Sequence, residues 1–409
     1  MRYAWLFSLS ALLASTAHAA SLTYDAALKL ADQSAPSLQA KAASVRAARA
    51  SGVAAGRLPD PKVRVGLENF PVSGPPAWRF GPESMTMATV ELMQDMPNGA
   101  KRRAARERAG ADIGAAQVGQ AGEARSVRLA TALAWIDLYY AERRLAALDD
   151  IDRALAPLRD AAPSQLASGA MRPAQTLEPE RLFAVLGDRR ADLVAAVAKA
   201  RAELMRWTDD PQPEVAGEPP DYAIDPAALL AAIDRLPSLV AYDAMARQAD
   251  ADLDAAKADK HPDWSWDLAY EHRDPMWGDM VSIGATVSLP LFASTRQDPI
   301  IAARAETASG VRNGREAARR ELLASLDASL ADHAMHHERL RRALETLVPL
   351  AKRQADLETA SYGAGTASLS DVLQAWLALA EAKIDAIDRE ADVTRDGARI
   401  ELTYGSDTQ

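Results

Sequence analysis

The side chains best suited to metal chemistry form one short cluster, DHAMHHE. His333 lies about one helical turn before His336 and His337, and imidazoles at helical positions i and i+4 can bind a transition metal such as zinc. The sequence shows neither a further ligand nor groups that would hydrogen-bond to the imidazoles and orient them. We therefore take His333, His336 and His337 as candidate metal ligands, with a solvated helix face as the alternative.

A second polar group lies between two predicted strands. It contains His272, Asp274, Met276, Asp279 and Met280. Methionine and histidine are plausible contacts for soft metals. Methionine is also an adaptable packing residue, so packing within a loop is the alternative.

Other chemistry is excluded by residue type. The chain has no cysteine, so it has no disulfide and no thiolate metal site. It contains neither a GxSxG motif nor a glycine-rich phosphate loop. We therefore expect neither an enzyme nor a bound cofactor. The formal net charge of −10 argues against nucleic acid as a partner.

The first twenty residues have the pattern of a secretory signal. Arg2 precedes an apolar run, and the small-x-small triplet at residues 17–19 is a typical cleavage site. A buried N-terminal helix is the alternative. Because no cysteine follows this segment, we do not expect a lipid anchor. Beyond it no apolar run reaches the roughly 18 residues of a membrane-spanning helix, so any membrane crossing must use β-structure.

These candidate sites belong to a chain that is built twice. Residues 21–208 and residues 227–409 have the same element order, in which a β-hairpin is followed by a long helical segment and a returning helix. Pro61 corresponds to Pro262, and Pro97 to Pro290. Residues 209–226, rich in proline and acid, are predicted to be an extended linker.

The four predicted strands alternate between apolar and polar residues. In residues 263–271 and 281–289 the alternation is strict, and in the first hairpin it is weaker but in phase. Each is expected to have about nine or ten residues, the length of a tilted membrane strand. Aromatic residues lie near the strand ends, as at membrane interfaces: Phe70, Trp78, Trp264, Tyr270 and Trp277.

Four strands are too few to close a membrane barrel, which needs about eight. Open edges are not tolerated in hydrocarbon, so copies of the chain must pool their strands. A symmetric trimer would give twelve strands, although a dimer or tetramer also fits. In such a barrel the polar strand faces line the lumen and present Glu68, Glu91, Asp267 and Glu271.

The long helical segments at residues 99–167 and 300–361 are rich in Ala, Arg, Leu and Glu. Each would extend about 100 Å if straight, because a helix rises about 1.5 Å per residue. Their apolar spacing predicts coiled-coil packing, with Pro157, Pro163 and Pro349 as breakers. The alternative is an ordinary helical bundle, whose helices seldom reach this length.

Four segments in this order resemble the TolC-like outer membrane factor family. They are LTYDAALKLADQSAPSL, MQDMPNGAKRR, SLPLFASTRQD and YGAGTASLSDVLQAW. The resemblance implies a mainly α-helical protein with a membrane β-barrel. It also implies a homotrimer with a twelve-stranded barrel in the outer membrane of a Gram-negative bacterium and a helical tunnel through the periplasm.

The resemblance also implies roles at the periplasmic tips. Asp371 matches an acidic residue that rings the tunnel mouth, and Gln374 stands where a second acid is common. Tyr362 matches a residue of the network that closes the tunnel. The cation that often accompanies this residue is replaced here by Ala367. Docking of a periplasmic adaptor is implied at Gly169, Ala170 and Met171 and at Ala364, Gly365 and Thr366. From capping rules alone, Asp371 has a structural role in the first turn of the returning helix.

We therefore expect an outer membrane efflux channel that works passively with an adaptor and an inner-membrane pump of the RND type. The histidine clusters, together with Met85, Met87, Met93 and Met96, favour the heavy-metal branch of the family. Drug efflux and type I secretion are alternatives within the same fold. A soluble periplasmic coiled-coil scaffold is the alternative from another class.

Overall fold

The computed structural model of the protein describes residues 21–167 and 177–405. The predicted signal segment and the first helix-to-helix turn lie outside these residues. The elements in chain order are α1 (Tyr24–Ser34), α2 (Pro36–Ala54), β1 (Lys62–Glu68), β2 (Met87–Met96), α3 (Gly99–Ala167), α4 (Leu177–Thr208), α5 (Pro226–Ala232), α6 (Pro237–Ala258), β3 (Asp263–His272), β4 (Met280–Ser288), α7 (Gln297–Arg342), α8 (Val348–Gly363) and α9 (Leu369–Tyr404).

The strands form one antiparallel sheet in the order β1-β2-β3-β4. Pairing of β2 with β3 joins the two predicted hairpins. β2, β3 and β4 have the predicted length, whereas the expectation for β1 was wrong, because it has only 7 residues. The strand ends at Asn69, whose φ of 49° turns the chain away. The Thr86 hydroxyl donates to the Asn69 carbonyl at 3.0 Å and holds this turn.

The first long helix has the predicted bounds. α3 contains 69 residues and continues through Pro157 and Pro163, so the prediction that these prolines break the helix was wrong. An internal proline removes one helical hydrogen bond and crowds the preceding turn. Ile151 and Leu155, in the turns before Pro157, are fully buried, and this packing offsets the loss.

The second long helix contains an irregular turn near its proline. A π turn, Ala343–Leu347, separates α7 from α8, and the Val348 N–H donates to the Ala343 carbonyl. Pro349 follows immediately and has no N–H to donate. The wider π turn accommodates the proline ring without ending the helix. Pro349 therefore changes the local winding and does not break the segment.

The described residues fall into two compact units, each built from both repeats. One comprises the described parts of Met1–Ala35, Ala124–Ala228 and Leu326–Gln409, and the other comprises Pro36–Glu123 and Leu229–Ser325. The sheet belongs to the second of these units. Within the described residues, no helix is both long enough and apolar enough to cross a membrane.

The unit that contains the returning helices has two apolar cores. One is centred on Trp135, whose indole N–H donates to the Leu22 carbonyl at 2.8 Å. The other packs α8 against α9 around Leu373 and Leu379. The linker belongs to the same unit, and Tyr222 hydrogen-bonds Tyr24 at 2.5 Å between the hydroxyls. The predicted extended linker is therefore held against the helices of its own unit.

Candidate functional site

All four predicted channel-lining acids lie on one face of the sheet. The register pairs Glu68 with Met87, Arg64 with Glu91, Thr89 with Glu271, and Met93 with Asp267. Because directly paired residues in a sheet share a face, the register places Glu68, Glu91, Asp267 and Glu271 together. The opposite face is apolar and exposed; the exposed fractions of Val65 and Ile283 are 75% and 82%.

Two cations on β1 offset most of the charge of the three acids on the first hairpin. Lys62 Nζ lies 2.7 Å from Asp95 Oδ2. Arg64 lies 3.4 Å from Glu91 Oε2 and 3.8 Å from Glu68 Oε1. Sequence reasoning placed Arg64 on the polar face with Glu68, but it identified neither Lys62 nor the ion pairs of these cations. The alternation places both on the polar side of β1, but their partners follow only from the register.

The acids of the second hairpin have different surroundings. The Ser282 hydroxyl donates to Glu271 Oε1 at 2.9 Å. The carboxylate of Asp267 lies over Gly284, because a Cβ built there would meet Asp267 Oδ1 at 2.7 Å. Within residues 21–167 and 177–405, no Lys, Arg or His side chain forms an ion pair with either acid. Asp267 and Glu271 therefore carry uncompensated negative charge, whereas Asp263, at the start of β3, is paired with Lys101.

The turn between α8 and α9 is tight and exposed. The Gly365 N–H donates to the Tyr362 carbonyl at 2.9 Å, and the Thr366 N–H donates to the Ser361 carbonyl at 2.9 Å. Gly365 has a φ of 77°, a conformation that favours glycine. The three predicted docking residues of this turn, Ala364, Gly365 and Thr366, are all exposed. The corresponding residues Gly169, Ala170 and Met171 lie outside the described residues.

Asp371 completes a capping box at the start of α9. Its Oδ2 accepts from the Ser368 N–H at 2.9 Å and from the Ser368 hydroxyl at 2.7 Å, and its own N–H donates to Ser368 Oγ at 3.2 Å. These hydrogen bonds, the one from the Ser368 side chain foremost, lower the pKa of Asp371. Gln374 is exposed one turn later, and Tyr362 packs partly against the core of α8 and α9.

The three candidate ligand histidines do not form one group. His336 Nδ1 lies 2.6 Å from Asp396 Oδ2 on α9. The rings of His333 and His337 meet edge to face, with centroids 4.5 Å apart. Among the described residues, no cluster of three or more His, Cys, Asp or Glu side chains is arranged to hold a metal ion. The predicted site at His333, His336 and His337 is therefore not assembled.

The polar group of the β3–β4 loop stabilises the loop itself. The Tyr270 hydroxyl donates to Asp279 Oδ2, and His272 Nδ1 lies 2.9 Å from Asp279 Oδ1. Asp274 Oδ1 accepts from the Met276 N–H at 3.1 Å. This arrangement corresponds to the loop-packing alternative. Met276 and Met280 remain exposed.

Comparison with known proteins gives one family match and several structural matches. Residues 229–406 match the family model described as outer membrane efflux protein. No curated protein matches the chain. A membrane protein from Pseudomonas aeruginosa is 16% identical, with a TM-score of 0.81 over 94% of this chain and 90% of its own.

Two further structures have the same fold. The CmeC outer membrane channel of Campylobacter jejuni is 12% identical, with a TM-score of 0.78 over 93% of this chain and 85% of its own. CusC, described in terms of transmembrane channel formation, is 13% identical, with a TM-score of 0.82 over 94% and 92%. The predicted mainly helical fold is confirmed, and the strands form a small antiparallel sheet. The chain thus has the fold of these solved proteins, and its second repeat matches the outer membrane efflux protein family.

Proposed function

We propose that this chain is the outer membrane duct of a tripartite efflux system in a Gram-negative bacterium. It conducts substrate passively from a periplasmic adaptor and an inner-membrane RND-type pump to the exterior. The observation that carries the proposal is a two-faced sheet followed by helices of about 100 Å, in the fold of solved outer membrane channels. Such a chain provides an apolar surface for lipid and a polar surface for a water-filled passage.

The proposed assembly is a homotrimer with a twelve-stranded barrel. β1 and β4 are the two edges of the sheet. Unpaired backbone groups cost several kcal/mol each in hydrocarbon, so the edges must pair with other copies. Three copies exceed the roughly eight strands of the smallest membrane barrels. The exposed apolar side chains Val65 and Ile283 then face lipid.

The proposed adaptor-docking surface comprises the two helix-to-helix turns. At the second turn, exposed backbone and small side chains at residues 364–366 leave room for the tip of another helical protein. Under the same proposal, residues 169–171 form the equivalent surface of the first repeat. Energy for transport comes from the pump, because an open duct only lets substrate diffuse.

Asp371 is proposed to form an acidic ring at the periplasmic mouth, beside Gln374 and Tyr362. Asp371→Asn is expected to weaken block of the channel by divalent cations, because it removes one carboxylate per copy while remaining isosteric. Ser368→Ala is the matched control, since it breaks the cap and keeps the carboxylate. Single-channel recording measures both. Equal block in Asp371→Asn and in the unmodified protein would contradict the ring.

The proposed substrates are heavy-metal cations. This is supported by the acidic balance of the chain and by the uncompensated Asp267 and Glu271. Selection among metals is assigned to the pump, since no three-residue metal group is found among the described residues. Drug efflux and type I secretion use the same duct geometry and are the runner-up functions.

Three experiments test the proposal. The purified full chain in planar bilayers is expected to form discrete channels, and complete absence of conductance would exclude a duct. Osmotic shock would release a soluble periplasmic scaffold, whereas the proposed protein stays with the outer membrane fraction. A deletion strain is expected to become sensitive to metal salts. Sensitivity only to organic drugs, or loss of a secreted protein, would select a runner-up.

A further inference from the structure

The polar face of the sheet carries six carboxylates, and two of them, Asp95 and Asp263, are ion-paired with Lys62 and Lys101. The other four differ in their neighbours along each cross-strand row. One row reads Arg64, Glu91, Ala269 and Ser282 from β1 to β4, so the acid lies directly beside a cation. In the row on one side of it, Met93 of β2 lies next to Asp267 of β3. In the row on the other side, Thr89 of β2 lies next to Glu271 of β3. The two β3 acids therefore have no cation as a direct cross-strand neighbour.

Distance also separates the β3 acids from the cations of β1. Neighbouring strands lie about 4.8 Å apart, so β1 and β3 are separated by about 9–10 Å. This is close to the screening length of about 8 Å at physiological salt. Asp267 lies over Gly284 on β4, which directs its carboxylate away from β1. Lys62 and Arg64 are instead held by Asp95, Glu68 and Glu91.

An unpartnered hydroxyl accompanies this charge. Thr89 is paired with Glu271 across β2 and β3 and is only 6% exposed. Its Oγ1 is buried and has no hydrogen-bond partner among the described residues. A buried hydroxyl without a partner is costly unless a water or an ion completes it. A hydroxyl oxygen next to a carboxylate is a suitable pair of oxygens for a hard cation.

We infer that the duct's preference for cations over anions is set by a subsite on β3 and β2, made of Asp267, Glu271 and the Thr89 hydroxyl. Glu68 and Glu91 contribute less to it, because Arg64 lies beside both and offsets one of their two charges. The ligands are hydrated monovalent and divalent cations in transit. Gly284 leaves room for the Asp267 carboxylate, because a Cβ at this position would meet the carboxylate atoms. The inference rests on the proposed function, in which this face lines the passage.

The test measures the K⁺/Cl⁻ permeability ratio of the full chain in bilayers under a low-salt KCl gradient. Asp267→Asn and Glu271→Gln are each expected to lower the ratio about two- to fivefold, because one carboxylate per copy is lost in a weakly screened lumen. Thr89→Val keeps the side-chain volume and is expected to lower the ratio by a smaller factor. The matched control is Arg64→Gln combined with Glu91→Gln, which removes one charge of each sign.

The possible results distinguish failure of this inference from failure of the proposed function. An unchanged ratio in the double control, with a clear fall in the β3 variants, supports the subsite. Arg64→Gln alone should raise the ratio, since it frees two carboxylates. An equal fall in the double control and in Asp267→Asn would overturn the inference while leaving the duct intact. If the unmodified protein forms no channel, the proposed function fails first.

Discussion

The two long helices, α3 and α7, occupy equivalent places in the two repeats but are stabilised differently. In α3, Trp135, Ile136 and Leu138 are fully buried in an apolar core. Every residue of α7 is described, and only Ala308 and Leu326 are buried. α7 instead forms ion pairs with the preceding helical segment, through Arg312, Arg315 and Arg319 to Asp250, Asp243 and Asp234.

The hairpins show the opposite distribution of ion pairs, because here the first copy has more of them than the second. In the first hairpin two cations offset most of the charge of three acids, whereas Asp267 and Glu271 of the second have no ion-pair partner among the described residues. One fold can therefore be satisfied by different interactions in its two copies. Where the internal contacts of a copy are apolar or cancel in charge, that copy serves as scaffold. On β3, by contrast, the charge of Asp267 and Glu271 remains unpaired, and under the proposed function it is available to passing ions.

The largest effect is expected from removal of the aromatic centre of α3. Trp135→Ala removes a fully buried indole, its stacking on Tyr139 and its hydrogen bond to Leu22. Substitutions of this kind cost about 3–5 kcal/mol of the free energy of unfolding. Thermal unfolding followed by circular dichroism in detergent measures the loss. Trp277→Ala, in the exposed β3–β4 loop, is the matched control.

A small effect of Trp135→Ala on the unfolding midpoint would contradict the difference between α3 and α7. It would mean that α3 is held by contacts with other copies of the chain and not by its own core. The control is expected to shift the unfolding midpoint little, because an exposed side chain loses little burial on truncation. A larger shift in the control than in Trp135→Ala would assign the stability to the loop.

A smaller effect is expected from the ion pairs of α7. Arg315 lies 2.7 Å from Asp243 and 3.6 Å from Asp234, and both pairs are partly exposed. Arg315→Gln is expected to lower the free energy of unfolding by about 0.2–1 kcal/mol, with the difference shrinking as salt increases. Arg320→Gln is the control, because Arg320 is highly exposed and pairs only within α7, with Glu316. A salt-independent loss would assign the effect to packing of the arginine stem.

Much of this fold follows from the sequence because its signals are periodic. The bounds of α3 and, within one residue, those of β3 and β4 follow from spacing and capping residues. The π turn beside Pro349 does not, because it depends on how one residue is accommodated within a continuous helix. The Arg64–Glu91 pair depends on the register between strands, and the His336–Asp396 pair joins residues far apart in sequence. Neither pair leaves a local pattern.

The smallest effect concerns the histidines of α7 and their response to pH. His333 is partly buried, and its Nδ1 has no hydrogen-bond partner among the described residues. Burial first, then the neighbouring His337, lowers the pKa of His333, although Asp396 acts in the opposite direction. The folded protein therefore favours the neutral ring, whereas the unfolded chain takes up a proton near pH 6.5.

Linkage fixes the direction of the effect. The contribution of His333 to stability is complete above about pH 6.5 and is lost as the pH falls towards the lower pKa of the folded protein. His333→Gln is expected to flatten the fall of the unfolding midpoint between about pH 7 and pH 5, and His261→Gln, at an exposed position, should leave it unchanged. An unaltered slope in His333→Gln would mean that the ring is hydrated in solution. The sparsely buried α7 would then be more open than its contacts with α9 indicate, which would sharpen its contrast with α3.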